Sequence, residues 1–106
     1  MGVSKFIENV IDRNSTRIIN STPLPELLLD LREYQILSDT EIVDLRHIQS
    51  SKQRNIAFIN ILKCRQDHQF DHFCNLLCKH HSKVVHKLGR QLQKDSYGDN
   101  DNNGRF

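Results

Sequence analysis

Gln69–Gln93, QFDHFCNLLCKHHSKVVHKLGRQLQ, is the stretch on which the fold class turns. At about 100° of rotation per residue, Phe70, Phe73, Cys74 and Leu77 share one face of a helix, while Asp71, His72 and Asn75 lie outside it. The pattern breaks at Lys79–Ser82 and restarts with Val84, Val85, Leu88 and Leu92. Two helices this short cannot bury their apolar stripes unaided, because short helices depend on tertiary packing. The segment therefore reads as the end of a helical bundle.

Working outward, four more helices precede it. The first spans about Val3–Asn20, with a stripe of Phe6, Ile7, Val10 and Ile11 that resumes at Ile18 and Ile19. Asn14-Ser15-Thr16 interrupts it with side chains that compete for backbone hydrogen bonds, which predicts a bend or a helix in two parts. Thr22-Pro23-Leu24-Pro25 opens the second, since proline is tolerated in the first turn and not deeper. Leu24, Leu27, Leu28 and Leu31 form its core stripe, ending near Tyr34.

Ser38-Asp39-Thr40-Glu41 has the form of a capping box and starts a short third helix carrying Ile42, Val43, Leu45 and Ile48. Ser50-x-x-Gln53 repeats the signal before a fourth helix that is apolar almost all round, from Ile56 to Leu62. After Cys64–Asp67 come the fifth and sixth helices. Residues 95–106, DSYGDNDNNGRF, lack apolar periodicity and are expected to be a disordered polar tail to a bundle of residues 1–94.

Size and composition bound the function. A chain of 106 residues supports one modest core. No apolar run approaches the roughly 20 residues that cross a bilayer, and MGVSKFIENV lacks a secretory apolar core. Cys64, Cys74 and Cys78 are odd in number and sit in apolar helix, which fits reduced, buried thiols and a cytoplasmic protein. A net charge of +2 is too mild to announce a nucleic-acid binder.

The order of elements, with a broken first helix and a stubby third, resembles the death-fold superfamily and most closely the caspase recruitment domain (CARD). Pro23–Arg46, PLPELLLDLREYQILSDTEIVDLR, looks like the second-to-third helix unit of these domains. Gln69–Leu88, QFDHFCNLLCKHHSKVVHKL, looks like the fifth-to-sixth unit, with its aromatic-x-x-Phe-Cys-x-x-Leu pattern. The resemblance runs over about Phe6–Leu92. Many relatives carry a glycine before the fifth helix, where this chain has Arg65-Gln66-Asp67. The resemblance implies an all-α, six-helix antiparallel Greek-key bundle.

It also implies a function. Such domains associate through a basic surface on helices one and four that meets an acidic surface on helices two and three of a neighbour. Carried onto this chain, the basic patch is Arg13, Arg17, Lys52 and Lys63. The acidic patch is Glu26, Asp30 and Glu33, spaced i, i+4 and i+7 opposite the leucines, continued by Asp39, Glu41 and Asp44. Partners would be CARD-containing proteins, whether an initiator caspase, an adaptor or a sensor. Contacts between unlike patches are heterologous and can propagate into helical oligomers. The setting implied is apoptotic or innate-immune signalling, with the chain acting as a CARD-only regulator or decoy, or as a seed of assembly.

The same residues bear on other chemistry. Cys74-x-x-x-Cys78 with His72, His80 and His81 has zinc-ligand types, but His68 and His72 point away from Cys74 on the same helix. His80 and His81 are expected to cap the carbonyl end of the fifth helix. Cys64 lacks the base and oxyanion site that a nucleophile needs, so no catalytic residue, metal or cofactor is expected. The competing class is a small helical nucleic-acid-binding protein using Lys79, Lys83, Lys87, Arg90 and Lys94 of the sixth helix. That stripe lacks interleaved aromatics and helix-turn-helix spacing, which weighs against it.

Overall fold

The computed structural model describes the backbone of residues 2–104 and the side chains of residues 2–97. Seven α-helices and no strand occur among the described residues: α1 (Lys5–Arg13), α2 (Ser15–Ser21), α3 (Leu24–Glu33), α4 (Asp39–Arg46), α5 (Ser51–Lys63), α6 (Asp67–Cys78) and α7 (Lys83–Gly104). The expected interruption of the first helix is the single residue Asn14, which divides α1 from α2. Asn14 is buried, and its side-chain amide donates to Val10 O at 2.9 Å and to Asp95 Oδ2 at 2.9 Å. The break is thus held by a residue far along the chain.

Local signals set most of the other boundaries. Pro25 lies in the first turn of α3, where its missing N–H costs nothing. Ser38 and Glu41 form the complete reciprocal box at the start of α4. Ser50 Oγ accepts from Gln53 N at 3.2 Å at the start of α5. The exit of α3 uses a device without a glycine. Gln35 adopts φ 63°, Ile36 N donates to Leu31 O at 2.8 Å, and Gln35 N donates to Arg32 O at 3.0 Å. That is a Schellman motif, sealed by the buried pair Leu31 and Ile36.

The core runs the length of the bundle. Phe58, Phe70 and Phe73 are fully enclosed, with the Phe58 and Phe73 rings 5.2 Å apart and tilted by 59°. Antiparallel α6 and α7 form the most extensive helix pair, and α7 also packs on α1 and α2. Gly89 permits the close crossing, since a Cβ there would lie 2.7 Å from Cys78 N and 2.8 Å from Leu77 Cβ. The N-terminal segment docks where α5 meets α6. Val3 N donates to Lys63 O, and Ser4 N to Asp67 Oδ1 at 2.7 Å.

Three residues placed in apolar stripes face outward instead. Phe6 and Val43 are 41% and 50% exposed, and Val84 is 61% exposed. Each neighbours a buried residue in sequence, so a turn of about 100° carries it off the core face. The bundle also continues past residue 94. Asp95, Ser96 and Tyr97, expected in a disordered tail, lie in α7, and Ser96 is buried. Polar side chains made this last turn look like tail, yet they reach specific partners: Asp95 binds Asn14 and Gln91, and Ser96 Oγ donates to Gln93 O.

Candidate interaction surfaces

Helices α1 and α2 both pack on α5, so their outer faces adjoin. Asn55 fastens the contact: buried on α5, it donates to Ile19 O at 2.8 Å and Thr22 O at 3.1 Å, satisfying carbonyls at the end of α2. Lys52 lies one turn before Asn55. Arg13, Arg17 and Lys52 are exposed, and none has an acidic partner among the described residues. Lys63 differs. It is half-buried and paired with Asp12, so its charge is largely answered within the molecule.

On the other side, α3 packs on α4. Asp30, Glu33 and Asp44 are exposed and unpaired among the described residues. The remaining three acidic candidates are engaged internally. Asp39 Oδ1 sits 2.9 Å from Arg32 Nε, and Glu26 Oε1 sits 2.8 Å from His80 Nε2. Glu41 is half-buried, accepts from Ser38 N, and is paired with Arg65. Burial alone would push its carboxyl up, but the Arg65 guanidinium and the Ser38 amide outweigh burial and hold it below the usual range. Leu29 was outside the leucine stripe and is 68% exposed among Glu26, Asp30 and Glu33. An apolar side chain among acidic ones suits a docking face.

Arg65 Nε donates to Ile36 O at 2.7 Å while its other end meets Glu41. It locks the α3–α4 loop to the start of α6. Arg54 does the same for the end of α4, donating to Ile48 O at 2.6 Å and to Leu45 O. Neither role has a local signature, because both partners are backbone carbonyls or side chains on other elements.

The histidines are arranged differently from the sequence expectation. His86 Nδ1 lies 2.7 Å from Cys78 O, so His86, and not His80 or His81, closes the carbonyl end of α6. His80 ties the α6–α7 loop to α3 through Glu26, and His81 stacks on it at 4.3 Å. Glu26, His80 and His81 bring ligand-type atoms within 4.8 Å of one another, a different set from the Cys74 and Cys78 cluster. Ser82 N donates to His80 Nδ1 at 3.1 Å, which leaves Nε2 carrying the proton. A metal ion there would have to displace that proton. Burial raises both the Cys74 and the Cys78 thiols, Cys74 strongly.

The basic residues assigned to the expected sixth helix divide. Lys87, Arg90 and Lys94 line an open cavity of about 580 Å³ together with Arg17, Gln91, Gln93 and Tyr97. Lys79 lies instead beside Glu26, Asp30 and the histidine pair.

Helices of this order, a net positive charge on α1–α2–α5 against a net negative one on α3–α4, and a body without a strand among the described residues all agree with one family. Comparison with curated proteins and with solved structures gives no significant match. The family model of the caspase recruitment domain matches residues 8–91, which is most of the chain. The chain therefore belongs to the caspase recruitment domain family, whose members bind other CARD-containing proteins.

Proposed function

We propose that this CARD works by assembly, pairing Arg13, Arg17 and Lys52 of one molecule with Asp30, Glu33 and Asp44 of another CARD. The observation that carries the reading is the bias of unpaired charge: three exposed cations lie on α1, α2 and α5, while on α3 and α4 three exposed carboxylates outnumber the exposed Arg46. Glu26, Asp39, Glu41 and Lys63 belong to the same surfaces but are held by contacts within the molecule, so they act as the rim that orients the free groups. Leu29 supplies the desolvated contact that charges lack, since complementary charge sets encounter rate and partner choice more than affinity. With α1 and α2 counted as one broken helix, the bundle corresponds to the six-helix Greek key of the family.

Because the two surfaces differ, each molecule offers both ends of a heterologous contact, which supports open helical oligomers. The setting is apoptotic or innate-immune signalling in the cytoplasm. There the domain would regulate caspase recruitment by capping or seeding another CARD, without bond chemistry.

Charge reversal tests this. Arg13→Glu and Asp30→Lys, each made alone in folded protein, should abolish or sharply weaken self-association and CARD capture, read by light scattering and pull-down. Mixing the two variants should restore a complex, because one intact surface remains on each. Unchanged association in both single variants would sink the proposal.

A further inference from the structure

The cavity on α7 has features the assembly surfaces do not explain. Four cations line it, Arg17 from α2 and Lys87, Arg90 and Lys94 from α7, and no carboxylate is among its lining residues. None of the four has an acidic partner among the described residues. Asp95 lies close by and keeps its charge, since its oxygens accept only from the neutral amides of Gln91 and Asn14, so the four cations outnumber it. Gln91 and Tyr97 complete the wall, the Gln91 amide donating to Asp95 and the Tyr97 hydroxyl hydrogen-bonded to Asp71.

Like charges gathered around a concavity repel one another, and a surface under no other demand disperses them. Spacing sets the kind of ligand. Lys87, Arg90 and Lys94 recur over two turns, about 10 Å of rise, with Arg17 flanking from a second helix. That places cations at separations suited to several phosphates on one compact molecule. The volume of about 580 Å³ lies within the range of small-molecule sites. Arginine offers two-pronged donors to phosphate oxygens, and lysine supplies point charge. A nucleic-acid strand would call for basic residues continuing beyond the groove with aromatics to stack on, but Lys79 lies apart beside Glu26 and Lys83 lines neither cavity.

We propose that the α2–α7 cavity is a binding site for a small, multiply phosphorylated metabolite. Arg17 is shared with the basic assembly surface, but Lys87, Arg90 and Lys94 belong to neither charged surface, so the site is tested at residues the assembly reading does not use.

Titration calorimetry with inositol hexakisphosphate as the probe tests it, beside a 20-nucleotide single-stranded DNA and inorganic phosphate. The full chain should bind the probe at one site per molecule, more tightly than it binds the DNA. Lys87→Ala with Lys94→Ala should weaken probe binding by about tenfold or more. Both side chains are exposed, so the variant should fold, and circular dichroism checks this. Lys5→Ala with Arg46→Ala removes the same net charge at exposed residues away from the cavity and should leave probe affinity within about twofold. Equal losses in the two variants would reduce the effect to unspecific electrostatics and overturn the proposal. So would tighter binding of the DNA, which would favour a nucleic-acid surface, or absence of probe binding.

Discussion

Single residues at the joints of this bundle decide how its charges are spent. Glu41 is the clearest case, because it serves the α4 cap and answers Arg65 at once. Its carboxyl is held below the ordinary value of 4.5 in the folded state. A depressed acid stabilises the fold above its unfolded-state value, and that contribution disappears as pH falls through the folded-state value. Glu41→Gln keeps the capping hydrogen bond but removes the charge. Urea unfolding should show it less stable by about 1 kcal/mol at pH 7. Variant and parent should converge as pH falls below 4.5 and through the lower folded-state value, and a constant gap across that range would show that the pair contributes no linked stability. Gln35 and Asn55 also act at this scale. One takes a left-handed conformation without glycine, and the other uses a buried amide to close α2.

Among the elements, the α6–α7 pair matters most, since α7 touches α1 and α2 as well. Gly89 sets how closely that pair can approach. An alanine Cβ would lie 2.9 Å from Cys78 Sγ as well as against the α6 backbone, so the helices must part. Overpacking of this sort costs about 1–3 kcal/mol, against a gain of about 1 kcal/mol in helix propensity. Gly89→Ala should therefore lower the melting temperature. A raised melting temperature would mean that the crossing is looser than described.

At the scale of the whole molecule, α7 works as a strap that joins the end of the chain to the break in its first helical unit. Asp95 accepts from Asn14 across 81 residues of sequence, and Ser96 is buried beside it. A chain ending at Lys94 should lose about 1 kcal/mol or more, because Asn14 is left with a buried donor short of one partner. Equal stability of the shortened and full chains, by denaturant unfolding, would restore residue 95 as the start of a tail. The charge-reversal and probe-binding experiments belong to this scale too, and they separate: Arg13 and Asp30 report assembly, while Lys87 and Lys94 report the cavity.

How much of this was legible beforehand follows from the range of each interaction. Apolar spacing, prolines and Ser-x-x-Glu boxes act over three or four residues, so the helices, the break near Asn14, the family and the bias of charge by sign could all be read along the chain. Phe6, Val43 and Val84 escaped because one residue of rotation separates a core position from a surface one. The fate of individual charges could not be read. Whether Lys63 or Glu41 is free depends on Asp12 and Arg65, brought near by folding, and a basic stripe becomes a cavity only when Arg17 closes its side. Pairing falls off within a few ångströms and depends on which distant side chains converge, and that distance is a property of the packed bundle.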